Sequence, residues 1–340
     1  MNQEVQKIIF RADGNSDMGL GHIIRSLALA DMLGSAFKTI FITTNNSEFV
    51  RSQAASICSE CKIIVNEEDF FSELNSEVMV VVDGYHFGSD YQKKIKSFAC
   101  KLIVIDDLAE GYFYADLIIN QGGELIRKKY HTESRTKVLT GFDYVLLRRP
   151  FLAVKHQTRS IIKHDSVFVC MGGADPFHIT SKVLQACFIT PFVKKIFIVS
   201  GSAYSRRTEL LELINKRESE KIIVQEENIS AERMVTMINE SEFAVCPSSS
   251  VALETCSVGC GLLTGTVADN QLQVNRQLVD SGCCLSVGDF KSATVDSVQS
   301  KLCQFANVEL INSMIEKQCK VFDGQSAGRI LREFKLLVEC

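Results

Sequence analysis

No part of the chain is apolar for long enough to cross a membrane. Val78-Met79-Val80-Val81-Val82 is typical of its longest apolar runs, against the roughly 20 residues that a spanning helix needs. Positive charge is not in excess either. The 37 lysines and arginines are outnumbered by 41 aspartates and glutamates, for a formal net charge of −4, so no nucleic-acid partner is expected. Met1-Asn2-Gln3-Glu4 shows no basic segment followed by an apolar one, so no secretory leader and a cytoplasmic location are expected. There is no internal sequence repeat and no low-complexity tract. The 13 cysteines, an odd number, are scattered through apparent strands and helices, which suits reduced, mostly buried thiols. Cys58-Ser59-Glu60-Cys61 has C-x-x-C spacing but no second pair or neighbouring histidine. A structural zinc takes four ligands, so no metal is expected there. Cys283-Cys284 reads as ordinary strand.

What is present is a large apolar fraction. Hydrophobic residues make up 46% of 340 residues, enough for two domains with their own cores. The first half alternates apolar strands (Ile8–Arg11, Thr39–Thr43, Lys62–Val65, Val78–Asp83, Leu102–Ile105, Leu117–Asn120) with helical segments such as Ile23–Leu33 and Asp90–Phe98. This rhythm implies a parallel sheet covered on both faces. In such sheets ligands bind beyond the C-terminal ends of the strands. Polar residues just after strands therefore carry the functional interest.

Three strand ends stand out in this half. After Lys7-Ile8-Ile9-Phe10 comes Arg11-Ala12-Asp13-Gly14-Asn15-Ser16-Asp17-Met18-Gly19-Leu20-Gly21-His22-Ile23-Ile24-Arg25, a Gly-rich loop running into an amphipathic helix. Gly19 and Gly21 carry no Cβ, so another molecule can approach the backbone closely. Free N–H groups at the helix start favour a bound anion and a neutral His22, and a neutral imidazole beside a phosphate-bearing ligand suits a general base. The plainer reading is that Gly-x-Gly packs helix on strand and that His22 caps. The second strand end is Asp83-Gly84-Tyr85-His86, where the Tyr85 hydroxyl reaches a sugar or phosphate or the ring simply packs; His86 reads as an exposed loop residue. The third is Asp106-Asp107, equally readable as turn or helix caps.

Pro150 and the polar run His156–Asp165 read as a connection between domains spanning 1–150 and 151–340. The second half restarts the pattern with strands Val167–Cys170, Lys195–Val199, Lys221–Val224, Phe243–Cys246 and Leu262–Thr264. Met171-Gly172-Gly173-Ala174-Asp175 follows the first of these, and paired glycines allow a tight turn against phosphate or another loop. Pro247-Ser248-Ser249-Ser250 opens a helix, where serines can cap or can offer hydroxyls and N–H groups to a diphosphate. Glu254, one turn on, suits a ribose diol, by analogy with the acidic residue of dinucleotide folds. Ala268-Asp269-Asn270-Gln271 opens a further helix, with Asn270 a cap or a ligand for an N-acetyl group. From Phe290 onward the chain reads as helices interrupted by Gly324, with Arg329–Leu337 helical.

These pieces together resemble the UDP-sugar hydrolases of pseudaminic acid biosynthesis, which are related to spore-coat polysaccharide proteins. The opening signature Arg11-x-Asp13-(x)5-Gly19-x-Gly21-His22-(x)2-Arg25 carries the likeness. It continues at Val82-Asp83-Gly84-Tyr85, Ile105-Asp106-Asp107, Tyr144-x-Leu146-Leu147-Arg148-x-x-Phe151, Cys170-Met171-Gly172-Gly173-Ala174-Asp175, Ser249-Ser250-(x)3-Glu254 and Asn270-Gln271. The resemblance implies a GT-B-like fold, two Rossmann-like α/β domains facing a central cleft. It also implies hydrolysis of UDP-2,4-diacetamido-2,4,6-trideoxy-β-L-altropyranose at C1, with inversion and release of UDP. On this reading His22 is the general base and Tyr85 and Asn270 lie near the sugar or diphosphate. Asp13 steadies the loop or His22. Gly172, Gly173, Ser249 and Ser250 hold the UDP side, Glu254 takes the ribose and Arg148 offsets phosphate charge. No cofactor or metal is implied; the partners are the UDP-sugar and water, and the protein is expected to be a monomer. Gly84 departs from the family, which often has a bulkier polar residue there. The alternatives are a GT-B glycosyltransferase using the same donor site, and a non-catalytic nucleotide-sugar-binding protein.

Overall fold

The computed structural model describes residues 5–14, 19–154, 159–201, 203–216 and 221–339. Residues 1–4, 15–18 of the opening loop and 155–158 of the expected connection lie outside that set. The chain divides into two compact units, Met1–Arg149 with Gln325–Cys340, and Pro150–Gly324. Each is an α/β unit on a parallel sheet.

In unit 1 the strands are β1 (Lys7–Ala12), β2 (Lys38–Thr43), β3 (Glu60–Ile63), β4 (Val78–Asp83), β5 (Lys101–Ile105), the short β6 (Tyr112–Phe113), β7 (Leu117–Asn120), the short β8 (His131–Thr132) and β9 (Lys137–Thr140). The main sheet has the order β3-β2-β1-β4-β5-β7-β9, and β6 pairs with β8 separately. All six residues of β4 are buried, as befits a central strand covered on both faces. Ile9, Val80, Phe70, Ile95 and Ile118, each 0% exposed, form part of one core. From β1 the chain goes to β2 and β3 on one side, then returns to build β4 onward on the other. The loops after β1 and β4 thus diverge, and that crevice is where open α/β sheets bind ligands.

Unit 2 repeats the scheme with β10 (Ser166–Val169), β11 (Lys195–Ser200), β12 (Ile222–Glu227), β13 (Phe243–Pro247), β14 (Gly261–Thr266) and β15 (Leu285–Asp289). The order is β12-β11-β10-β13-β14-β15, so its crevice lies between β10 and β13. The apolar pattern does not reveal β9 or β15. Both are edge strands with few fully buried positions. Cys283-Cys284 is not strand; it sits in the bend before β15, after Gly282 at φ 67°.

The helix Ser326–Glu339 differs from the expected 151–340 domain, because it packs with unit 1. Its amphipathic face explains this. Ile330 and Phe334 are fully buried, and the Phe334 ring meets Phe37 edge-on at 6.2 Å. Glu333, 4% exposed, pairs with Lys137 of β9.

Candidate functional site

The helix Gly21–Leu33 starts just after Gly19, whose φ of 77° suits a residue without Cβ. His22, Arg25 and Ser26 fall at i, i+3 and i+4, on one face of the helix. That face meets the end of β4, because Ala12 of β1 lies in register with Asp83. His22 Nδ1 is 2.7 Å from Asp83 Oδ1. Arg25 Nε and Nη2 donate to Asp83 Oδ2 and Oδ1 at 2.9 and 2.7 Å, and the Ser26 hydroxyl donates to Oδ2 at 3.3 Å.

Asp83 is fully buried. Burial pushes its carboxyl up, but Arg25 and then His22 outweigh that and hold it down at about 2. An ionised carboxylate can only accept, so the proton of this bond belongs to His22 Nδ1. The Arg25 Nη2 contact with the same nitrogen, at 3.3 Å, then sets two donors side by side and is not a hydrogen bond. In the neutral imidazole this leaves Nε2 as the acceptor, and no side chain among the described residues is bonded to it.

Tyr85 completes the group. It is 48% exposed, its ring stands edge-on to His22 at 4.7 Å between centroids, and its hydroxyl donates to Asp107 Oδ2 at 3.3 Å. Arg25 Nη1 donates to Asp107 Oδ1 at 2.6 Å. Three strand ends, after β1, β4 and β5, thereby converge on one cluster. Gly84 has a local reason to lack a side chain: a Cβ there would meet the His86 and Phe87 rings at 3.0 Å.

Asp13 is not part of this cluster. It accepts from Thr44 N and Oγ1 at 2.7 and 2.9 Å and from Thr43 Oγ1 at 3.1 Å. It also pairs with Arg11 at 2.7 Å and lies 3.5 Å from His86 Nε2. Burial opposes its charge, yet these partners hold its carboxyl well below the usual range. Asp13 therefore ties the start of the opening loop to the end of β2. The carboxylate on His22 is Asp83, 61 residues away in sequence. Arg148 is half-buried between the turn Phe142–Tyr144 and the short helix Arg149–Leu152.

In unit 2 two helix starts follow the crevice strands, and they differ. After β10, Gly172 has φ 87° and Asp175 has φ 43°. The Asp175 side chain accepts from Ile179 N and Thr180 N, both at 2.8 Å, so the first two amides of the helix Ile179–Phe188 are already taken. Gly173 faces Gly201 after β11, where a Cβ would lie 2.4 Å from the Gly173 carbonyl oxygen. After β13, the helix Ser250–Val258 begins without a side-chain cap from Ser249. Ser249 and Ser250 are half-buried, and Glu254 is 3% exposed. Ser248 is committed elsewhere: its N–H donates to Gly265 O at 2.9 Å and its hydroxyl bonds Thr264 Oγ1 at 2.9 Å. Asn270 lies, half-buried, in the single turn Asp269–Gln271 that precedes the helix Leu272–Asp280.

No family model matches the chain. It is 25% identical over 286 residues to the spore coat polysaccharide biosynthesis protein SpsG of Bacillus subtilis, covering 82% of each chain. It is 25% identical over 256 residues to the UDP-2,4-diacetamido-2,4,6-trideoxy-beta-L-altropyranose hydrolase of Campylobacter jejuni, covering 73% of this chain and 87% of that one. Against the uncharacterized protein MJ1062 of Methanocaldococcus jannaschii it is 26% identical over 278 residues, 78% of this chain but only 56% of that longer one. Among solved structures, MurG of Acinetobacter baumannii superposes with a TM-score of 0.68 at 13% identity, over 97% of this chain and 99% of that one. The UDP complex of TcCGT1 superposes with a TM-score of 0.69 at 10% identity, over 99% of each. These likenesses show the GT-B fold.

Proposed function

We propose that the protein hydrolyses a UDP-linked diacetamido-trideoxy hexose, UDP-2,4-diacetamido-2,4,6-trideoxy-β-L-altropyranose, at the sugar C1. The observation that carries this reading is His22 Nδ1 at 2.7 Å from the buried Asp83 carboxylate. The likeness to the Campylobacter hydrolase supports the substrate class. His22 Nε2 takes a proton from water as the water oxygen bonds to C1. The C1–O bond to the diphosphate breaks, UDP leaves with the electron pair, and C1 inverts. Asp83 stabilises the imidazolium that forms, and general-base help of this kind is worth about 10²–10⁴ in rate. UDP is a good leaving group, so no carboxylic acid is needed to protonate it, unlike the paired carboxylates of common glycosidases. Tyr85 lies beside His22 for the sugar or diphosphate.

The diphosphate falls to the open start of the helix Ser250–Val258, with Ser249 and Ser250, because Asp175 already fills the start of the helix after Gly172-Gly173. Those glycines contribute a Cβ-free surface, Glu254 takes the ribose, and Asn270 takes the sugar side. The test is incubation with this sugar nucleotide in oxygen-18 water, followed by mass spectrometry of both products. Label in the free sugar and none in UDP is expected. Label in UDP would mean attack at phosphorus and overturn the mechanism. Intact substrate would favour a glycosyltransferase awaiting its acceptor.

A further inference from the structure

Ser248, Ser249 and Ser250 are consecutive, yet the first of them faces a polar chain of its own. Thr264 Oγ1 donates to Cys246 O at 2.8 Å, which uses its only proton. The 2.9 Å bond between Ser248 and Thr264 must then run from Ser248 Oγ to Thr264 Oγ1. The Ser248 oxygen is left to accept, and Asn275 Nδ2 donates to it at 2.8 Å. Asn275 Nδ2 also lies 3.1 Å from Ser286 Oγ on β15. Every proton direction in the chain is thus fixed, from Asn275 through Ser248 and Thr264 to a backbone carbonyl. Ser248 and Thr264 are 1% and 0% exposed, so water offers no substitute partner.

Asn275 sits on the helix Leu272–Asp280, which begins where Asn270-Gln271 ends. This helix buries only Val274 and Leu278. Apolar contact is not directional, so beyond the bond that Gln271 Oε1 accepts from Val267 N at 2.9 Å at its start, two such residues hold the helix down without fixing its rotation or its slide along the sheet. A hydrogen bond from Asn275 to a serine that is itself locked to β14 does fix them. We infer that Asn275 is a positioning residue, setting Asn270 at a fixed distance from the neighbouring Ser249-Ser250 helix start. This inference rests on the proposed donor site. It assigns the coupling between the diphosphate end and the sugar end of that site to the Asn275 amide, which bonds Ser248 and Ser286. Ser248 keeps its bonds to Thr264 and Gly265 when Asn275 changes, so the diphosphate end stays in place while the sugar end shifts.

The experiment uses the full chain carrying His22→Phe, so that the sugar nucleotide survives the titration. Calorimetry gives its affinity for UDP and for UDP-2,4-diacetamido-2,4,6-trideoxy-β-L-altropyranose, with and without Asn275→Leu. That substitution keeps the side-chain size and removes both donor and acceptor. Affinity for the sugar nucleotide is expected to fall roughly tenfold, about one charge-neutral hydrogen bond, with UDP affinity unchanged. Equal losses for both ligands, or no loss for either, overturn the inference, since a merely structural role lowers the thermal midpoint without separating the ligands. Absence of UDP binding in the parent protein overturns the donor site and the inference with it. Failure of the hydrolase reading shows separately, as lack of turnover in the chain with His22 intact.

Discussion

At the scale of single residues, the informative comparison is between Asp13 and Asp83. Asp13 lies nine residues before His22 in the same loop, and sequence proximity made it the natural partner. Asp83 lies 61 residues away and reaches His22 because β1 and β4 are adjacent and in register. Strand order is a long-range property that no local pattern encodes. Its signal was present all the same: an aspartate ending an apolar run, with His22 and Arg25 spaced to share a helix face. Asp83→Asn is expected to cut kcat by about a hundredfold to ten-thousandfold, with UDP affinity retained, because an amide no longer selects the Nδ1–H tautomer. His22→Phe is expected to abolish turnover and leave UDP binding intact by calorimetry. The acid limb of stability follows from the Asp83 carboxylate, which Arg25 and then His22 hold down. The carboxyl is held at about 2 in the folded chain against an ordinary 3.8, so the native state binds fewer protons between those values. Its contribution, about 2 kcal/mol, is present above pH 4 and is lost as pH falls toward 2. Chemical denaturation at stepped pH should show a shallower acid slope for Asp83→Asn than for the parent.

At the scale of elements, the two helix starts of unit 2 look equally suited to an anion in the sequence, one after Gly-Gly and one after a serine run. The structure separates them. Asp175, held at φ 43°, bends back onto the first helix and takes its amides, whereas Ser249 leaves the second uncapped by its side chain. The distinction depends on a backbone angle at one residue, which residue type alone does not dictate. The loops after β10 and β11 also meet backbone to backbone at Gly173 and Gly201, where a Cβ on Gly201 would lie 2.4 Å from Gly173 O. Gly201→Ala is therefore expected to displace the Gly172-Gly173 turn. A several-fold loss of UDP affinity with little change in the kcat of bound substrate checks this; unchanged affinity would remove the turn from the UDP site.

At the scale of the whole molecule, alternating strands and helices made two parallel-sheet α/β units legible. The helix Ser326–Glu339 was harder to assign, since its apolar face records only that it packs and not on what. Its place with unit 1 rests on Ile330, Phe334 and Glu333 meeting residues far away in sequence. Phe334→Ala is expected to cost about 3–5 kcal/mol, read as a lower urea midpoint for unit 1 with the transition of unit 2 unmoved. A polypeptide of residues 150–324 is expected to unfold cooperatively by itself, while residues 1–149 alone should show a weakened transition by the same measurement. There is a consequence for the order of events on the ribosome. Unit 2 is continuous in the chain and can close as soon as it emerges, but unit 1, synthesised first, waits for a helix translated after all of unit 2. The half that carries His22 is thus the first to be made and the last to be finished. Until then the apolar surface around Phe37 is left uncovered in the nascent chain.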